Sequence, residues 1–114
     1  MHWKTIHTRA ELNRAIEESR SAPVLIFKHS TRCAVSSMAF NRLDRYWDED
    51  EMMKTEGLMV DVIRDRELSN YIEEHFNIRH ESPQVLLIKS GKVIFHDSHM
   101  GIAYDSLRQA LSAN

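Results

Sequence analysis

With 114 residues, 42% of them hydrophobic and 28% charged, the chain is long enough to bury a core without metal or disulfide staples, and it falls outside the disordered and fibrous classes. Its 15 Lys and Arg against 17 Asp and Glu leave a net charge of −2, too balanced to favour nucleic acid as a partner. The longest apolar runs, 24–27 and 85–88, fall far short of the roughly 18 residues a membrane span needs, and the opening Met-His-Trp-Lys-Thr-Ile lacks the apolar stretch of a signal peptide. A single cysteine forbids an internal disulfide. The expectation is one cytoplasmic domain over residues 1–114, with any redox chemistry intermolecular.

Trp3 to Ile6 reads as a short first strand, and Thr8-Arg-Ala-Glu11 has the form of a capping box that opens a helix. Leu12, Ala15, Ile16 and Ser19 share one face of that helix, Glu17, Glu18 and Arg20 turn to water, and Pro23 closes the segment. Residues 24–27, Val-Leu-Ile-Phe, suit a strand buried on both faces. From Cys33 the period becomes helical, with Val35, Met38, Ala39, Leu43 and Tyr46 in one stripe. The acidic run 48–51 opposes the helix macrodipole and marks the end of that helix. After Gly57, residues 58–63 read as a third, interior strand. Leu68, Tyr71, Ile72 and Phe76 place a helix over about 65–76, closed by Asn77 in the left-handed position. Residues 80–84 form a polar connection. The apolar runs 85–88 and 93–95 flank Ser90-Gly91 as a tight hairpin, and Tyr104, Leu107 and Leu111 mark a last helix over about 104–111. The order β-α-β-α-β-α-β-β-α predicts an α/β, thioredoxin-like fold with a mixed central sheet flanked by helices.

Cys33 follows a strand and opens a helix. At that position the unpaired N–H groups and the positive end of the macrodipole favour a thiolate. Lys28, Arg32 and His29 are expected to add positive charge nearby, and Ser30 or Thr31 to cap the turn. A lone cysteine is by composition more often a small buried hydrophobe than a nucleophile. The strand–helix turn and the neighbouring cations, together with the family resemblance that follows, reverse that order. His29 reads equally as a tuner of the thiol and as a surface histidine, and His80 and His99 carry less signal. No ligand spacing joins these histidines with Cys33 and Glu81, so no metal is expected. Met38, Met52, Met53 and Met59 read as packing or surface residues, and Trp47 as a core or helix-end residue.

Three motifs give the chain a family resemblance. Lys28-His-Ser-Thr-Arg-Cys33-Ala-Val-Ser36 is similar to the K-H-S-x-x-C-x-x-S active-site turn of the monothiol, YtxJ-like bacilliredoxins of the thioredoxin superfamily. Glu67-Leu-Ser-Asn70 followed by His80-Glu-Ser-Pro-Gln84 resembles that family's second signature, and Ser98-His99 resembles a Ser-His pair after the hairpin. The resemblance spans nearly the whole chain. Ala34 departs from it, standing where the family has proline.

The resemblance implies thiol–disulfide exchange on mixed disulfides between client proteins and bacillithiol, with no bound cofactor and bacillithiol as co-substrate. Cys33 would be the nucleophile. Pro83, matching the superfamily's cis-proline, would face it, and the backbone of Ser82 would pair with an extended client. Lys28, His29, Thr31, Arg32 and Ser36 would complete the site. Because Ser36 cannot attack sulfur, free thiol or a partner reductase must resolve the adduct, while its hydroxyl is placed to donate to the thiolate. Two other functions fit the same residues: a glutaredoxin-like monothiol exchanger for another low-molecular-weight thiol, and a non-catalytic binding or redox-sensing module of the same fold.

Overall fold

The computed structural model describes residues 3–114; Met1 and His2, part of the stretch read for a leader, lie outside them. The elements are β1 (Trp3–Thr5), α1 (Arg9–Glu18), β2 (Val24–His29), α2 (Ala34–Tyr46), β3 (Glu56–Asp61), α3 (Arg66–Phe76), β4 (Gln84–Lys89), β5 (Lys92–Ser98), a 3-10 turn at His99–Gly101, and α4 (Tyr104–Ala113). The α/β order expected from the sequence is the order observed. No helix among the described residues is long and apolar enough to cross a membrane.

The five strands lie in the order β1-β3-β2-β4-β5. β1, β3 and β2 are parallel, as their helical crossovers require, whereas β4 runs against β2 and β5 against β4. Alternation along the central strand β2 divides the core. Val24 and Ile26 pack on one face with Leu12, Ala15, Leu68 and Ile72 from α1 and α3. Leu25 and Phe27 pack on the other with Ala39, Leu43, Leu107 and Leu111 from α2 and α4. A strand buried on both faces reads as a continuous apolar run, and 24–27 is that run.

Local chemistry sets the boundaries. Thr8 caps α1 through the reciprocal box with Glu11, and Asn77 closes α3 with φ 55°. Ser90 and Gly91 both have positive φ, 53° and 78°, the combination a two-residue hairpin needs. The third strand differs from expectation. It occupies Glu56–Asp61 rather than 58–63, because the Asp61 carboxylate accepts the N–H groups of Ile63 and Arg64, at 2.9 and 3.0 Å, and turns the chain. Asp48 does the same beyond α2, accepting from Asp50 and Glu51, so the acidic run is a turn.

Phe27, Phe40 and Trp3 meet edge-on or tilted at 5.4–6.1 Å and fasten the first half of α2 to the sheet. Leu43, fully buried, fastens the second half. Leu43→Ala is expected to lower unfolding free energy by about 2–5 kcal/mol in urea titrations, the cost of a cavity this sheet–helix seam cannot close.

Candidate active site

β2 ends at His29, and α2 begins at Ala34 with Cys33 as its N-cap, φ −115° and ψ 119°. Cys33 is half-buried. Its carbonyl accepts the first helical hydrogen bond, from Ser37 N–H at 3.2 Å, so the N–H groups of Ala34, Val35 and Ser36 precede the helical ladder. The cysteine side chain thus occupies the position from which a capping oxygen would accept such donors. Neither Ser30 nor Thr31 caps α2, contrary to expectation. The cap residue is the cysteine itself, with no side-chain capping bond. Thr31 and Arg32 are exposed beside it.

Ser36, one turn along, is fully buried. Its Oγ accepts the Ser30 N–H at 3.0 Å and lies 2.6 Å from His29 Nδ1. Burial holds the His29 imidazole below its ordinary pKa, opposed in part by the Asp61 carboxylate, so the ring favours its neutral form. A neutral ring has two tautomers with opposite consequences. With Nδ1 bare, the Ser36 hydroxyl donates to it and is spent. With hydrogen on Nδ1, the ring donates to Ser36, whose own proton is free to turn elsewhere. His29 packs 5.8 Å from Phe27 and 6.1 Å from Phe40, on the α2 face.

Lys28 does not join this group. The expectation that it adds charge beside Cys33 is corrected by strand alternation: with Val24 and Ile26 it faces the α1–α3 side, opposite the helix that carries the cysteine. It is 0% exposed, and Nζ has no hydrogen-bond partner among the described residues. Burial pushes its pKa down from 10.5 to about 8, with the Glu73 carboxylate opposing.

The second wall of the site comes from β4. Lys28 is paired with Gln84, so the residues after the first and before the second leave the sheet side by side. They are the cysteine loop and His80-Glu-Ser-Pro83. The Ser82–Pro83 bond is cis. This loop is tied at several points. His80 N–H donates to Glu73 Oε2 at 2.6 Å, His80 Nδ1 lies 3.1 Å from Ser69 Oγ, Gln84 Nε2 donates to Arg79 O at 3.0 Å, and Pro83 O accepts the His99 N–H at 2.9 Å. The two separate signature segments, Glu67–Asn70 and His80–Gln84, therefore meet through Ser69 and His80. Burial lowers the His80 pKa, and the neighbouring Lys28 charge lowers it further. Glu73 was not singled out by sequence, because a glutamate on a helix reads as a solvated residue. Among the described residues no group of three His, Cys, Asp or Glu side chains is arranged to hold a metal.

A family model, Monothiol bacilliredoxin BrxC, matches residues 4–107. Among solved structures, a thioredoxin-fold protein proposed to be an oxidoreductase superposes with a TM-score of 0.84 at 29% identity, over 96% of this chain and 93% of that one. Fasciola hepatica thioredoxin gives 0.73 at 18% identity, over 96% and 97% of the two chains, and Trypanosoma brucei brucei thioredoxin 0.75 at 13%, over 98% and 89%. The fold is that of thioredoxin.

Two outcomes check the site. Ser36→Ala strips the half-buried Ser30 N–H of its acceptor, and a loss of about 1–3 kcal/mol in unfolding free energy is expected by urea titration. For Lys28, between about pH 8 and 10.5 the unfolded chain holds the proton and the folded chain does not. Wild-type stability should therefore rise with pH through that window relative to Lys28→Met, by up to about 3 kcal/mol, and the difference should be flat below it.

Proposed function

The chain belongs to the monothiol bacilliredoxin family and is a thiol oxidoreductase, and we propose that its reaction removes bacillithiol from protein mixed disulfides through Cys33. The observation that carries this reading is the placement of the sole cysteine as N-cap of α2, beside a loop fixed to the sheet and to α3. Negative charge on its sulfur faces the unpaired N–H groups of the first turn, and exposed Arg32 adds a cation at the rim.

The Cys33 thiolate attacks the bacillithiol-side sulfur of the client's mixed disulfide. The old S–S bond breaks toward the client sulfur, which leaves as a thiolate and takes a proton from water, while bacillithiol stays on Cys33. A second thiolate, from free bacillithiol or a partner reductase, attacks the bacillithiol sulfur of that adduct and returns Cys33 as thiolate. Two thiols and one disulfide enter and leave, so no cofactor is needed. Ser36, which cannot form the internal disulfide of a dithiol enzyme, acts instead through its hydroxyl when His29 carries the Nδ1 proton. The client approaches in extended form, its backbone against Ser82 beside Pro83. Such chemistry belongs to a reducing compartment, the cytoplasm, with S-bacillithiolated proteins as clients.

The test presents reduced wild type and Cys33→Ser with one client bearing bacillithiol and the same client bearing glutathione, and follows adduct transfer by intact-protein mass. Transfer to wild type alone, faster from bacillithiol, is expected. Equal transfer of both would identify a generic monothiol exchanger. Transfer of neither would leave the chain a binding or sensing module and end the enzymatic reading.

A further inference from the structure

Lys28 and Gln84 are cross-strand partners on adjacent antiparallel strands, so their side chains share the α1–α3 face of the sheet. Both are buried, and each keeps one polar atom without a partner among the described residues: a donor, Lys28 Nζ, and an acceptor, Gln84 Oε1. An apolar side chain would fill this place at less cost than a buried amine. The groups that face Lys28 all bear on one segment. Glu73 from α3 accepts the backbone N–H of His80, Gln84 from β4 holds the carbonyl of Arg79, and the His80 ring senses the Lys28 and Glu73 charges and, more weakly, those of Arg66 and Glu81. On the β3 side the neighbour is apolar Val60.

We propose that Lys28 is a positioning residue for thiol exchange: its buried amino group, with Glu73 and Gln84, fixes segment 79–83 in the form against which an extended client docks. The inference rests on the exchange reading above and gives this lysine a role separate from the thiol. The buried Lys28 amine and the Glu73 carboxylate attract each other under the sheet, which holds Glu73 where it accepts the His80 N–H. Packed beside Lys28 as its cross-strand partner, Gln84 holds the Arg79 carbonyl through Nε2. Without Lys28 both ties loosen, while Cys33, on the other face of the sheet, keeps its surroundings. Lys28 thus governs recognition of the client rather than nucleophilicity of the sulfur.

The test compares wild type, Lys28→Met and Glu73→Gln in three measurements: alkylation of Cys33 by iodoacetamide, exchange with an extended peptide carrying an aromatic mixed disulfide, and the His80 titration by NMR. Both variants are expected to alkylate within about twofold of wild type, yet to lose about tenfold or more in kcat/KM for the peptide, mainly through KM. The His80 midpoint should rise in Lys28→Met, which removes a cation, and fall in Glu73→Gln, which removes an anion, a pair of opposite shifts that general loosening of the fold would not produce. Should Lys28→Met not fold, Glu73→Gln alone decides. Peptide exchange at the wild-type rate, or alkylation that falls in parallel with it, overturns the proposal while the exchange reading stands. A wild type that exchanges no mixed disulfide overturns both.

Discussion

The antiparallel pairing of β2 with β4 is the constraint on which the site depends. Parallel strands send their ends out of the same edge of a sheet, each into its own crossover. By running against β2, β4 brings its first residue beside the last turn of β2, and the register Lys28 to Gln84 delivers Pro83 to the edge where the cysteine loop begins. A slip of β4 by one residue would turn Gln84 to the opposite face and shift Pro83 along the edge where the cysteine loop begins. The apolar residues that precede Lys28 and follow Gln84 hold this register from both faces, since any slip would exchange the two cores.

Around that pairing the site divides into two half-sites on opposite faces of one strand. On the α2 face stand Cys33, Ser36 and His29, with chemistry governed by a helix N-terminus and a short hydrogen bond whose direction follows the imidazole tautomer. On the α3 face stand Lys28, Glu73, Ser69, His80 and Gln84, which do not touch the sulfur but tie down the segment opposite it. One half holds the cysteine and the other fixes the loop that carries the cis Ser82–Pro83 bond. Adjacent residues of one strand, Lys28 and His29, lead into the two halves because successive side chains point to opposite faces of the sheet.

The monothiol character follows from the same geometry. The residue one turn beyond the cysteine is a buried serine whose oxygen already satisfies a backbone N–H. It is a structural part of the loop as well as a neighbour of the reactive atom. With one cysteine in the sequence no internal disulfide can form at Cys33, and Thr31 and Arg32 beside it are exposed.

Much of this was legible in the sequence, since period and punctuation are local. The apolar run 24–27, the change to helical spacing at Cys33, the Thr8–Glu11 box, Asn77 and the Ser90-Gly91 turn marked the elements, their order and the place of Cys33 at the start of α2, because each is decided by a few neighbouring side chains and backbone sterics. What only the tertiary structure decided is which elements face which. Lys28 lies five residues from Cys33 and counts as its neighbour along the chain, yet strand alternation and the choice of α2 for the opposite face put the sheet between them. Glu73 reads as a surface glutamate until the loop after α3 folds back along it and offers a backbone N–H. Those relations depend on sheet order and on the direction of β4, long-range choices that fix the charges around a site and that no local pattern contains.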